Sequence, residues 1–174
     1  MTEVIKGAAG ASGEPEWLKV ESLDLEAQGV AHNAAGKVVF IEGALPGEEV
    51  QVDVHRRKNN WEQGSLAALR RESSQRVTPR CRYFGTCGGC VLQHWQTQSY
   101  RAWKRDLVAA ALSHEGIEAP LGDLIDAHGE GRRRIVLHAR QTREGVGVGF
   151  MALRSHTLVE IEDCPVLVLS LIHI

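Results

Sequence analysis

No stretch of the 174 residues is apolar for long enough to span a bilayer, and the polar start Met1–Glu16 has no hydrophobic signal-peptide core. The expected location is therefore the cytoplasm. Phosphate-loop chemistry is excluded as well, because Gly29…Gly36-Lys37 has the wrong spacing and no Ser or Thr after the lysine. No GxGxxG follows a strand pattern, so the chain has neither a dinucleotide nor an S-adenosylmethionine fingerprint, and no Ser/His/Asp set stands out. Aromatic residues make up only 5% of the chain, and there is no internal repeat. With 43% apolar and 24% charged residues, this is the composition of an ordinary globular protein, long enough for one domain or two small ones.

A net charge of −2 hides a strong asymmetry. Residues 1–54 carry 3 basic and 10 acidic side chains, residues 55–105 carry 11 basic and 2 acidic, and residues 106–174 carry 6 basic and 10 acidic. A middle third with a surplus of nine positive charges points to a polyanion. All but one of the four cysteines lie inside it.

Patterning along the chain predicts mainly strands. Met1–Pro15 is small and polar and is expected to be a disordered tail. Leu18, Val20 and Leu23 alternate roughly with polar residues, Lys37–Ile41 is a short apolar run, Val50, Val52 and Val54 alternate strictly, and Trp61–Leu69 is a weaker strand. Pro46-Gly47 and Asn59-Asn60 mark turns between them. Four or five short strands in so few residues predict a small barrel of the OB type. Tyr100, Trp103, Leu107 and Ala110-Ala111 recur at helical spacing, which predicts an amphipathic helix over Thr97–His114 that ends near Gly116. Arg101, Lys104 and Arg105 lie off that stripe, on a face expected to be solvated. Ile135, Leu137 and Ala139, then Val146, Val148 and Phe150, predict a hairpin around Thr142–Gly145, with Leu158–Ile161 as a third strand. Trp61, Trp95 and Trp103 are expected in the core rather than as base-stacking platforms.

Cys81, Cys87 and Cys90 form the sharpest local motif, with Cys164 as a distant fourth thiol. A cytoplasmic chain seldom keeps structural disulfides, so clustered thiols there point to metal or redox chemistry. Gly85, Gly88 and Gly89 lie between them and let the backbone fold back so that several thiolates converge. Four thiolates suit an iron–sulfur cluster or a structural zinc ion. Zinc sites of four cysteines usually arrive as two CxxC knuckles, and only one is present; a Cys3His zinc site using His94 is a further arrangement. Spacing alone leaves cluster, zinc and free thiols all open.

Several blocks in order carry a family resemblance: Gly29-Val30-Ala31, Val38–Ile41, Ala44-Leu45-Pro46-Gly47-Glu48, Pro79-Arg80-Cys81, Cys87-Gly88-Gly89-Cys90-Val91-Leu92-Gln93-His94, Tyr100…Lys104 and Val159…Cys164-Pro165. Over residues 16–168 the chain resembles the RNA uridine C5-methyltransferases of the RlmD/RumA kind. The resemblance implies a tail (1–15), an OB-like TRAM RNA-binding barrel (16–73), an iron–sulfur loop with a helix (74–116) and a truncated central β domain (117–174). It implies that Cys81, Cys87, Cys90 and Cys164 hold a [4Fe-4S] cluster. It also implies S-adenosylmethionine as methyl donor, 23S rRNA as substrate, with tRNA or a non-enzymatic zinc-containing RNA-binding module as the alternatives. In the family a Rossmann-like domain follows, carrying a nucleophilic Cys and a Glu base. Neither maps onto this chain, which stops ten residues after Cys164 with the apolar Val166–Ile174. The expectation is a catalytically incomplete, monomeric, RNA-gripping portion with no protein partner.

Candidate RNA contacts are Arg56, Arg57 and Lys58 at a strand turn of the barrel, Arg70, Arg71, Arg80 and Arg82 leading into the cysteine loop, and Arg132, Arg133 and Arg134 before the central strands. Each phosphate neutralised steepens the log–log salt dependence of binding by about 0.7–0.9. Replacing Arg56 and Arg57 together by alanine is therefore expected to weaken RNA binding and flatten that slope by about 1.4–1.8. A salt titration of binding checks it, and an unchanged slope counts against these two contacts.

Overall fold

The computed structural model describes residues 16–126, 131–143 and 145–168. The expected tail and the last six residues of the apolar end lie outside this range. The fold is mainly β, with one helix, and clusters into two units: Met1–Ser22 with Gly29–Glu72, and Leu23–Gln28 with Ser73–Ile174.

The first unit is built on strands β1 (Leu18–Lys19), β2 (Ser22–Leu23), β3 (Gly29–His32), β4 (Val38–Glu42), β5 (Glu49–Arg57) and β6 (Trp61–Arg71). Their order in the sheet is β1-β5-β6-β4-β3-β2. The run expected as one strand from Leu18 to Leu23 is thus broken at Val20-Glu21 into two halves that lie at opposite edges. Leu18 pairs with Val50 of β5, the Val20 amide donates to the Glu48 carbonyl (2.9 Å), and the Glu21 amide donates to Val30 of β3 (2.8 Å). One short segment therefore joins both edges and draws the sheet closed on itself. Leu18, Val20, Ala31, Val39, Ile41, Ala44 and Val50 fill the interior, with Val52 and Leu66 packed against them.

Glu48 is fully buried and its Oε2 accepts the Leu45 amide (2.8 Å), which fixes the Pro46-Gly47 turn from inside. The β5–β6 ladder runs further than the apolar pattern. Arg56 pairs with Gln63 and Arg57 with Glu62, so the two arginines stand on the strand and only Lys58 has left it. A ladder is held by backbone hydrogen bonds and needs no apolar side chain to continue. Arg70 and Arg71 likewise complete β6 rather than open a connector.

In the second unit the helix α1 covers Thr97–His114, as the spacing predicts, and the chain leaves it through Gly116 at φ 69°. Its apolar stripe is only half covered: Trp103 packs on Trp95 (ring centroids 5.9 Å), whereas Ala110 and Ala111 are exposed. The basic face is not simply solvated. Arg101 pairs with Asp126, and Arg105 Nη2 donates to the Leu121 carbonyl (2.9 Å), so both tie residues 121–126 to the helix. Lys104 sits over the Tyr100 ring at 5.0 Å.

Strands β7 (His138–Gln141), β8 (Val146–Met151) and β9 (Leu158–Glu160) form an antiparallel sheet in that order. Here the sequence reading is corrected twice. The ladder begins only at His138, so Ile135 and Leu137 precede it. The buried face of β8 belongs to Gly147 and Gly149, while Val146 and Val148 face outward at 64% and 37% exposure. The reason is close approach: a Cβ on Gly149 would lie 2.8 Å from the Val159 carbonyl carbon, and one on Gly147 would lie 2.7 Å from Cδ of Glu160. At Gly149 the backbone of β9 itself leaves no room for a side chain, whereas at Gly147 the Glu160 side chain fills the space.

Ile41 has no exposed surface and sits at the centre of the barrel interior. Ile41→Ala is expected to cost about 2–5 kcal/mol of stability, read from urea unfolding followed by circular dichroism.

Candidate metal centre and nucleic-acid surface

The cysteine loop is a succession of tight turns. The Phe84 amide donates to the Cys81 carbonyl (3.1 Å), and the Thr86 and Cys87 amides both donate to the Tyr83 carbonyl (3.1 and 2.8 Å). Behind it, His94 and Trp95 are buried. The His94 ring stacks at a tilt on Phe84 (5.2 Å), the Val77 amide donates to the His94 carbonyl (2.9 Å), and Trp95 Nε1 donates to Gln75 Oε1 (3.0 Å). Trp95 is thus a core residue as expected, and Trp103 leans on it half-buried. His94 belongs to the same packed layer.

Five contacts dock this loop on the segments around β8 and β9. Cys87 forms a β-bridge with Ala152, and the Gly88 amide donates to the Met151 carbonyl (3.0 Å). The Tyr83 hydroxyl oxygen accepts the Glu162 amide (3.0 Å). Arg82 Nη2 donates to Glu162 Oε2 (2.6 Å) and Nε lies 3.2 Å from Asp163 Oδ1. Arg82, expected as an RNA contact, is therefore engaged within the chain. Arg82, Tyr83, Glu162 and Asp163 were not singled out as a unit by the sequence. The signal that could have found them is their position: Arg82-Tyr83 directly follows Cys81, and Glu162-Asp163 directly precedes Cys164.

All four cysteines are reduced and half-buried. Burial pushes the Cys90 thiol up from its ordinary value; a hydrogen bond from the Gln93 side chain opposes the rise, and the charges of Cys164, Cys87 and Cys81 add to it. The distant Cys164 thus shares one electrostatic neighbourhood with the three loop thiols. Gln93 also accepts the Cys81 amide on Oε1 (3.2 Å), and the Gly89 amide donates to Cys87 Sγ (3.4 Å). Among the described residues, however, no three His, Cys, Asp or Glu side chains are gathered as tightly as a single metal ion requires. Four soft thiols, with an amide donor beside Cys87 and the Gln93 side chain beside Cys90, are a donor type that thiophilic metals such as zinc or iron take.

The candidate RNA residues divide by unit. On the first, Arg56 lies over the Trp61 ring (5.1 Å), Arg57 Nε is 3.6 Å from Glu62, and Arg70 lies over Trp17 (5.9 Å) with Nε 3.8 Å from Glu49. Trp61 is half-buried, edge-on to Phe40 (6.1 Å). Arg56, Arg57, Lys58, Arg70 and Arg71 are all exposed. On the second unit Arg80, Arg132, Arg133 and Arg134 are exposed, and the Arg132 backbone is held by donation to the Val166 carbonyl (2.8 Å).

Gly88 and Gly89 are not equivalent. A Cβ on Gly88 would lie 2.9 Å from the Met151 carbonyl oxygen, whereas one on Gly89 would meet only Cys87 Sγ at an ordinary 3.4 Å. Gly88→Ala is expected to cost about 1–3 kcal/mol at this junction and to speed hydrogen exchange of the loop amides. Gly89→Ala should leave that exchange nearly unchanged.

Residues 13–66 match the family model of the TRAM domain. The chain is 42% identical over 170 residues to the 23S rRNA (uracil(1939)-C(5))-methyltransferase RlmD of Halomonas elongata, which covers 96% of this chain and 35% of that protein. It is 41% identical over 151 residues to an uncharacterized RNA methyltransferase of Caulobacter vibrioides, covering 86% of this chain and 35% of that one. Among solved structures, the tRNA (uracil-54, C5)-methyltransferase of Pyrococcus abyssi in complex with S-adenosyl-L-homocysteine matches with a TM-score of 0.61 at 28% identity, over 92% of this chain and 35% of that one. The chain spans about a third of the length of these relatives. It carries a TRAM domain and, along nearly its whole length, is similar to part of proteins named as RNA uracil-C5-methyltransferases.

Proposed function

We propose that this chain is the RNA-binding and [4Fe-4S]-holding part of an S-adenosylmethionine-dependent enzyme that forms 5-methyluridine in 23S rRNA. The observation that carries the reading is that Arg82 and Tyr83, next to Cys81, hold Glu162 and Asp163, next to Cys164, in a chain alike to rRNA uracil methyltransferases along nearly its whole length. Cys81, Cys87, Cys90 and Cys164 would hold the cluster, whose contribution when bound is to lock the loop onto the β8–β9 segment. A tetrahedral zinc ion at about 2.3 Å from each sulfur would need the sulfurs about 3.8 Å apart. Four thiolates are also the ligand set of a four-iron cluster, and the metal content of the purified protein distinguishes the two.

Within this chain the barrel and the exposed arginines supply phosphate contacts. Trp61 under Arg56 offers a flat face with a cation on it, of the kind that single-stranded bases stack against. In the complete enzyme a thiolate would add to C6 of uracil and make C5 nucleophilic towards a methyl donor, after which a base would remove the C5 proton as the C6–S bond breaks, restoring the C5–C6 double bond and releasing the thiolate. S-adenosylmethionine would supply that methyl group, and the reacting side chains would lie in sequence outside these 174 residues.

Protein purified without oxygen is expected to be brown, to absorb broadly in the visible, and to contain iron and sulfide in similar amounts. A colourless protein with one zinc overturns the cluster assignment. A second reading, tRNA as substrate, is favoured by the Pyrococcus abyssi likeness. Methyl transfer to 23S rRNA and tRNA transcripts decides between them when the protein assayed extends through the whole length of its relatives. The 174-residue chain is expected to bind the preferred transcript and to transfer no methyl group.

A further inference from the structure

We propose that Arg82 is a positioning residue for the thiol of Cys164, a clasp that returns this distant sulfur to the cysteine loop before any cluster is present. The inference rests on the cluster reading above and adds a role for a residue outside the thiol set. The two halves of the clasp each abut a cysteine. Arg82 and Tyr83 follow Cys81, and Glu162 and Asp163 precede Cys164. The guanidinium uses two separate nitrogens, Nη2 on Glu162 Oε2 at 2.6 Å and Nε on Asp163 Oδ1 at 3.2 Å. Its carbon lies 4.9 Å from the centre of the Tyr83 ring, and the Tyr83 hydroxyl oxygen accepts the Glu162 amide at 3.0 Å. Side chain, ring and backbone thus grip the same two residues.

A planar fork reaches two carboxylates through separate nitrogens, where an ammonium acts as a single point charge and does so less well. Arg82, Glu162 and Asp163 are 54%, 82% and 58% exposed, so the clasp is screened by salt and modest in strength. A modest clasp suffices for this task. Ordering the last ligand in advance lowers the entropy lost when the metal binds, and metal binding is coupled to folding at such sites.

The test uses the full 174-residue chain, first reduced and metal-free, then reconstituted without oxygen from ferrous iron and sulfide. Dibromobimane bridges thiols that lie close together, and peptide mapping reports which pairs it joins. Arg82→Ala is expected to lower the yield of bridges from Cys164 to the loop thiols by roughly two- to five-fold at low salt, with the Cys87–Cys90 bridge unchanged. Arg82→Lys should restore part of the yield, added salt should lower it in the wild type, and Arg143→Ala, an exposed arginine elsewhere, should leave it alone. Iron uptake should slow in the same order. Equal Cys164 bridging in wild type and Arg82→Ala overturns the clasp, as does a parallel fall of the Cys87–Cys90 bridge, which would mean a general loss of fold. Wild-type protein that takes up no iron and sulfide overturns the cluster reading instead, and the metal-free bridges then still report whether Arg82 places Cys164.

Discussion

The second unit answers to one requirement: a polar, glycine-rich loop that cannot bury a core of its own has to be held against a segment far along the chain. Backbone contacts do part of this, through Cys87 with Ala152 and Gly88 with Met151. Tyr83 and Arg82 do the rest, at Glu162 and Asp163. Other features of the unit follow from that docking. Gly88 has no room for a side chain, and His94 and Trp95 form a buried floor behind the loop.

The first unit solves a different problem, how to close a small sheet and still present charge. Its interior is made of modest aliphatic residues, and its long strands β5 and β6 carry arginines at their ends. Those cations are not bare. Glu62, Glu49, Trp61 and Trp17 each sit against one of them. Such partners keep a guanidinium extended and oriented at little cost, and exposed pairs of this kind give way readily to a phosphate.

Local patterns were legible where one face meets a core and the other meets water. The alternation of Val50, Val52 and Val54 marked β5, and the spacing of Tyr100, Trp103 and Leu107 placed α1 with its observed ends. The same reasoning inverted β8, because it assumes that the large apolar residue points inward. There the β9 backbone at Val159 leaves room only for Gly149, Gly147 lies under the Glu160 side chain, and the valines are left outside. It also ended β5 and β6 too early, since the ladder through Arg56, Arg57, Arg70 and Arg71 is a matter of backbone pairing. The cysteine motif was visible from spacing and glycine content, and the family resemblance added Cys164 to it, but the residues that bring the two segments together were not visible. Which carboxylate an arginine finds is decided by the fold, and neither Arg82 nor Glu162 has a local pattern that names the other.

The divided first strand has a consequence for the order in which this protein is made. Leu18 and Glu21 leave the ribosome early, but Leu18 waits for Val50, and the sheet between the two edges is complete only when β6 has emerged. Until then the segment has two partners to find and a half-built sheet to span. The barrel is thus a structure that closes in one late, long-range step, and its speed of formation is governed by that closure rather than by any single hairpin.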